Sequence, residues 1–545
     1  MSPSLYSPLN PNRRQLLLGA AATVGAVALG GSSASASPLG GGQAPSLLLS
    51  KDKRRDKRKD RREMEPDRVR RWASDTWLSL VAMTDATTGL PADNISEGLA
   101  VADRSGYTSP TNIAGYLWSA VVARELEIIS KGECTRRLLQ TLATIDRMQH
   151  HVPSGMYYNW YDEATGGVLT TWPTDGNRVY PFLSSVDNGW LGAALRVVIN
   201  ADKRAAALAS KIFGRMRWDM FYDAAAGANP GGLIHGGFYD AQPLDSANTF
   251  VGNHIGVGPD VWYTHHHYDT TVSETRITTY LGIIQKQIPA KQYFALWRTF
   301  PNTNDWSWQE SQAVGVERTY LGTKVFEGAY PYRGMKIVPG WGGSMFEELM
   351  PDMFVPESDW APRSWGINHP LHVRAQREHG LVEAGYGYWG FSPSSDPFAG
   401  YREYGVDQLG LNPEGYFSDR ESTNVDAGFG TYRPGRNPTP TFGDGIVTPH
   451  ASFLALMHEP QAAFANLAGI QDELKAYGRG GFFDAVGTRS GTVARRYLSL
   501  DQAMVMGSIG NVLGENVIRR AFCGRDAERA LRPVIGIEEF GAGLA

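Results

Sequence analysis

The sequence predicts an all-α fold, a toroid of paired helices, on three observations. Helical periodicity recurs segment after segment with no strands alternating between them. Aromatic, acidic and glycine residues collect in long loops between those segments, where function usually sits. No shift in composition divides the stretch from residue 73 to the end. A helical chain of 545 residues is too long for one simple bundle. Paired helices closed into a ring put one layer on another and gather the loops at one mouth.

Residues 1–36 read as an export signal. Arg13-Arg14 precede an apolar run from Leu16 to Leu29, and Ala34-Ser35-Ala36 supplies an A-x-A cleavage pattern before Ser37. The twin arginine points to the route that exports folded proteins, so a secreted or extracytoplasmic protein is expected. That run is too short for a membrane span, and no later apolar stretch reaches about 18 residues, so no stable membrane insertion is expected. Residues 37–70 read as a flexible linker. The run Lys51-Asp-Lys-Arg-Arg-Asp-Lys-Arg-Lys-Asp-Arg-Arg62 interleaves acids among its bases, which suits a solvated segment better than a nucleic-acid tail. Residues 71–545 are then one folded domain.

Residues 1–72 hold 14 Lys/Arg and 6 Asp/Glu, leaving 38 of the 52 basic and 50 of the 56 acidic residues for the remainder, a net charge of −12 there. An acidic body disfavours nucleic acid as a partner and is compatible with a neutral substrate. The two cysteines, Cys134 and Cys523, exclude a disulfide framework. A ring would bring the first and last helices together, which leaves one bridge between them geometrically open.

The spacing predicts helices over about 72–82, 109–130, 134–150, 186–200, 205–222, 292–300, 363–380, 450–457, 460–477 and 500–522, with another starting near Ser344. Ser109 is the N-cap of the second, with Pro110 at its first position. Residues 227–258 are glycine-rich and not helical. Residues 268–284 read as a helix with Asp269 as N-cap, because Ile277, Tyr280, Leu281 and Ile284 share a face. Glu274 shares that face and should point partly inward. Desolvation favours the protonated form that a general acid needs. A structural ion pair with Arg276 is the competing reading.

No phosphate loop, Rossmann fingerprint or nucleophile elbow is present. His265-His266-His267 are adjacent, and adjacent histidines do not converge on one ion, so neither metal nor cofactor is expected. Acidic residues are the richer signal: Asp162, Asp187, Glu274, Glu347, Glu348, Asp396, Asp407 and Asp501. Many sit beside aromatics such as Trp160, Trp341 and Trp389, a combination that suits a carbohydrate cleft. Glycoside hydrolysis needs a pair of carboxylates flanking the bond. Each acid taken alone is more simply a cap or a salt bridge.

Thr108-Ser-Pro-Thr-Asn-Ile113, Tyr158-Asn-Trp-Tyr-Asp162, Ser184-Ser-Val-Asp187, Ser273-Glu-Thr-Arg276, Gly343-Ser-Met-Phe-Glu347, Leu349-Met-Pro351, Thr448-Pro-His-Ala451 and Leu498-Ser-Leu-Asp501 occur in this order. Together they resemble the glucoamylase-like domain of cyclic β-1,2-glucan synthases and of related endo-β-1,2-glucanases, over roughly residues 70–540. The resemblance implies an (α/α)6 toroid, hydrolysis of a β-glucan, typically β-1,2-linked, and Glu274 as the acid. It also implies that Asp162, Asp187 and Glu347 lie near the sugar, with Trp160, Trp341, Trp389, Asp407 and Arg276 as further binding residues. In the synthase domain a second glutamate acts as nucleophile; the matching run here, Trp365-Gly-Ile-Asn-His-Pro370, has His369 in its place. Tyr386-Gly-Tyr-Trp-Gly-Phe-Ser-Pro-Ser-Ser-Asp396 resembles a stretch of the hydrolases, which implies an inverting enzyme with Asp396 as first choice of base. The expected partner is an oligo- or polysaccharide, bound by a monomer; a transglycosylase and a non-catalytic carbohydrate-binding protein are the alternatives.

Overall fold

The computed structural model describes residues 64–244, 246–300, 312–411 and 442–544. The expected signal, its Arg13-Arg14 pair and most of the linker lie outside them. Twelve helices carry the architecture: α1 (Pro66–Met83), α2 (Pro110–Glu125), α3 (Lys131–Arg147), α4 (Ser185–Ala201), α5 (Ala206–Gly214), α6 (Arg276–Ile284), α7 (Met345–Leu349), α8 (Trp365–Glu378), α9 (Pro449–Ala455), α10 (Pro460–Asp472), α11 (Ser499–Leu513) and α12 (Arg525–Ile535).

Their composition sorts them into two layers. Helices α2, α4 and α11 are apolar all round and buried on nearly every face, which only an inner position permits. Helices α3 and α12 are amphipathic and bury one stripe, Cys134, Leu138, Leu142 and Ile145 on α3, and Ala527, Leu531 and Val534 on α12. The inner ring runs α2, α4, α6, α7, α9, α11 and returns to α2. Helices α1, α3, α5, α12, α8 and α10 pack outside it. Small residues set the closest approaches. A Cβ on Gly115 of α2 would stand 2.7 Å from that of Ala503 on α11. The result is a helical toroid.

It is not all-α, and this corrects the expectation. Strand β1 (Asn94–Ser96) pairs with a strand just before α11, Arg496–Leu498. The glycine-rich excursion holds no α-helix among its described residues, only a 3₁₀ turn at Ser246–Asn248, and contributes to a pair of sheets. Strands β2 (Phe182–Ser184), β5 (Gly237–Tyr239), β7 (Val261–Thr264) and β6 (Thr249–Gly252) form one, in that order. Strands β8 (His267–Tyr268), β4 (Leu233–His235) and β3 (Tyr222–Asp223) form the other. A hairpin of β9 (Val314–Tyr320) and β10 (Thr323–Tyr332) turns through Leu321 and Gly322, both at positive φ (49° and 81°).

Two boundaries also move. Helix α1 starts at Pro66, inside the expected linker, because Arg68 reaches Gln471 (3.0 Å) and Asp472 (2.6 Å) on α10 and Val69 is buried. Helix α6 starts at Arg276 and not after Asp269. The β-branched run Thr270-Thr271-Val272 stays extended and bridges Trp297 and Gly340. Cys134 and Cys523 are both free thiols; the Cys523 Sγ stands 3.3 Å from the Phe354 carbonyl. Among the described residues, no helix is long and apolar enough to cross a membrane.

Candidate active site

The first turns of the inner helices meet along one rim, and the motif residues occupy them. On α4, Ser184 caps the helix by accepting the Asp187 N–H (3.1 Å). Asp187 accepts the Thr111 hydroxyl of α2 at 2.8 Å. On α2, Ser109 accepts the Asn112 N–H, and the Asn112 amide donates to Asp93 at 2.9 Å. Trp190, one turn into α4, donates its indole N–H to Glu274 Oε2 at 2.7 Å. His450 of α9 faces Asp501 of α11 across 3.7 Å. Asp93, Asp187, Glu274 and Asp501 are all buried carboxylates at this rim. Helix N-termini favour negative charge, which is why a sequence can keep acids there.

The lead-in to Glu274 is held from both sides. Val272 bridges Gly340, and Gly340 bridges Gly410, so the loops carrying Glu274, Trp341 and Asp407 run side by side. Glu274 is only 7% exposed, as its inward face demanded. The competing reading, an ion pair with Arg276, is not what forms. Arg276 grips Glu357 with Nε–Oε1 at 2.8 Å and a second bond at 3.0 Å, donates to the carbonyls of Ser273, Glu347 and Glu348, and lies 4.3 Å from the Trp365 ring centre. Its guanidinium is fully buried and spent on these partners, so it is a structural residue and not a sugar ligand. This corrects the binding role given to it.

Around Arg276 lies a buried ionic cluster. His369 of α8 contacts Glu348 (2.6 Å) and Glu357 (3.2 Å), while Asp352 takes Arg519 (2.5 Å) and His458 (3.0 Å). Burial opposes the charge on His369, but the surrounding carboxylates win and raise its pKa to about 9. For Glu348 and Glu357, burial pushes up, and the opposing His369 and Arg276 charges win and hold them low. His369, the residue standing where a nucleophilic glutamate was expected, therefore belongs to the wall between α7 and α8.

Other nominated residues divide. Glu347 completes a capping box and accepts N–H bonds from Trp341, Gly342 and Ser344 and the Ser344 hydroxyl, so its carboxylate organises the loop and not a sugar. Trp389 is 1% exposed in the main core, and Trp160 is buried edge-on against Tyr107 and Trp172. Neither offers a face to a sugar ring. Trp341 remains partly exposed beside Tyr330 and Leu411. Asp162 holds an Asx turn through Thr165 N–H (2.8 Å). Asp396 does the same through Phe398 N–H (2.9 Å) and pairs with Arg402 at 2.6 Å. Asp407 is buried at the start of a short 3₁₀ turn beside the 340–343 loop. Sequence reasoning missed Trp190, Asp93 and His450. The signal for Trp190 and His450 was present, since each lies in or next to a motif at an inner-helix start; Asp93 reaches α2 only through space, by its bond from Asn112.

Residues 266–523 match the family model described as "Putative glucoamylase". Over this part the chain is similar to the glucoamylase-like family. The chain is 26% identical to the cyclic β-(1,2)-glucan synthase NdvB of Rhizobium meliloti (strain 1021) over 84% of its own length and 18% of the synthase. It thus spans under a fifth of that relative. In fold it is similar to an endo-β-1,2-glucanase from Chitinophaga pinensis, with a TM-score of 0.58 at 14% identity, covering 87% of this chain and 99% of that one. An endo-β-1,2-glucanase from Talaromyces funiculosus gives 0.54 at 13% identity, covering 88% and 96%. These likenesses establish the fold that the glucoamylase-like motifs occupy.

Proposed function

We propose that the protein is an exported glycoside hydrolase that cleaves a β-1,2-linked glucan, with Glu274 as general acid on an (α/α)6 scaffold. One observation carries the reading. Glu274 is buried at the rim where the inner helices begin, and its partner there is the indole N–H of Trp190, while the neighbouring arginine is committed elsewhere. A carboxylic acid so placed can protonate a leaving glycosidic oxygen, and the indole stabilises the carboxylate left behind. The names of the relatives supply the substrate class: one makes a cyclic β-(1,2)-glucan, and two similar structures are endo-β-1,2-glucanases.

For the second carboxylate, Asp187 and Asp501 fit the geometry better than Asp396, because both sit in first turns at the same rim. A covalent route through position 369 is closed, since His369 is buried among three carboxylates. The lack of a carboxylate at that position supports an inverting mechanism, with a base activating water.

The test is a panel of purified polysaccharides assayed with wild type and Glu274→Gln. Wild type hydrolyses β-1,2-glucan with inverted anomeric configuration by NMR, and Glu274→Gln loses at least about 100-fold of kcat with an unchanged circular dichroism spectrum. An active Glu274→Gln removes the assignment; retained configuration removes the inverting mechanism; binding without turnover makes it a carbohydrate-binding protein. Export is tested by Arg13-Arg14→Lys-Lys, which should strand the protein in the cytoplasm.

A further inference from the structure

The small sheet beside the rim gathers side chains that the hydrolase chemistry does not use. Asp223 ends β3, His235 ends β4 and His267 opens β8, directly opposite His235 in the strand register. His254 comes from the loop between β6 and β7 and packs its ring on Tyr263. Four separate segments of the 222–268 region therefore meet at one spot. Adjacent histidines cannot converge on an ion, and they do not here; the convergence is made across strands.

The distances have the character of a ligand set. His235 Nε2 stands 3.1 Å from His254 Nε2 and 3.8 Å from Asp223 Oδ2. The three donor atoms all lie within 4.8 Å of one another. Tetrahedral ligands with bonds of about 2.0–2.1 Å stand roughly 3.3 Å apart, so the set needs only small movements to close on an ion. The tautomer is set as well. His235 Nδ1 lies 2.9 Å from the Thr264 carbonyl and donates its proton there, which leaves the Nε2 lone pair facing the cluster. His267 Nε2 lies 3.3 Å from the same Asp223 oxygen and steers that carboxylate. His254 is exposed, which gives an ion a way in.

We propose that Asp223, His235 and His254 form a zinc-type metal site, with His267 as the positioning residue for Asp223. Two imidazoles and one carboxylate favour zinc or a similar transition ion over calcium or magnesium, which take oxygen ligands. The site is structural. The His235 carbonyl accepts the Ser185 hydroxyl at 2.6 Å, and the Gly236 carbonyl accepts the Ser185 N–H at 3.1 Å. Ser185 opens α4, two residues before Asp187. An ion at Asp223, His235 and His254 ties the 249–258 loop to the strands under that helix start, and takes no part in bond cleavage.

The buried group of Asp352, Glu357 and His369 has similar spacing but already carries Arg276 and Arg519, which neutralise it without an ion.

The experiment uses the full-length protein stripped with chelator and titrated with Zn2+ alone. One equivalent binds by calorimetry and elemental analysis, Tm rises with zinc concentration, and the Co2+-loaded protein shows intense tetrahedral absorption bands. His254→Ala, at an exposed residue, and Asp223→Asn each weaken zinc binding by about tenfold or more with unchanged circular dichroism. Glucan hydrolysis is a separate readout, so this proposal and the hydrolase assignment fail independently. No zinc bound, or equal affinity in His254→Ala, overturns the site and leaves a hydrogen-bonded histidine pair.

Discussion

On the proposed reading, Trp190 and Glu274 are the pair on which the chemistry would turn. The indole N–H is a donor only, so the 2.7 Å bond favours the ionised carboxyl that exists after proton transfer. Trp190→Phe removes that donor and keeps most of the packing. A hydrogen bond to a charged group contributes about 1.5–3 kcal/mol, so kcat falls roughly ten- to a hundredfold with little change in KM. The alkaline limb of kcat/KM moves to higher pH. A proportional rise in KM would instead mark Trp190 as a binding residue. Glu274 was legible in the sequence, through a motif and an inward face. The ion pair of Arg276 was not, because Glu357 lies 81 residues away in sequence. Trp160 and Trp389 misled for a related reason: an aromatic beside an acid reads the same whether its ring faces a cleft or the core.

At the scale of elements, the contact between α7 and α8 is ionic and therefore pH-dependent. His369 rises from 6.5 to about 9. A raised pKa means its contribution is complete below about 6.5 and is lost as pH climbs through 9. Glu348 and Glu357 are lowered from 4.5, so theirs is complete above about 4.5 and is lost on acidification. These are the same contacts seen from two ends, and they place the optimum of stability between about pH 4.5 and 6.5. Thermal melts across pH should show a falling Tm toward pH 9 and above in wild type. His369→Gln should flatten that alkaline decline; an identical decline in the variant would remove the cluster as its cause. Most helices were readable from periodicity. The β9–β10 hairpin was not, although Val314-Gly-Val-Glu-Arg-Thr-Tyr320 is rich in β-branched and aromatic residues. Its outward face is largely exposed, so the alternation of apolar and polar residues that marks a half-buried strand is weak. The start of α6 was misplaced because Asp269 has the chemistry of a cap, while the β-branched residues after it prefer extended backbone.

For the whole molecule, closure of the ring depends on its ends. A chain starting at Arg71, the boundary suggested by composition, loses the Arg68 bonds to α10 and the burial of Val69. It should be less stable than one starting at Met64 by about 2–4 kcal/mol, read as a lower denaturant midpoint with an unchanged slope. Equal midpoints would make the first turn of α1 dispensable.

The latch between Arg68 and Gln471 spans 403 residues of sequence, and α1 packs against α11, which is made later still. The first helix among the described residues therefore waits for nearly the whole chain before its apolar stripe, including Trp72 and Trp77, is covered. Contacts of such range are slow to form and leave sticky intermediates exposed meanwhile. A protein built this way would gain from completing its fold among chaperones before any export. The proposed twin-arginine route, which carries folded cargo, would provide that order of events.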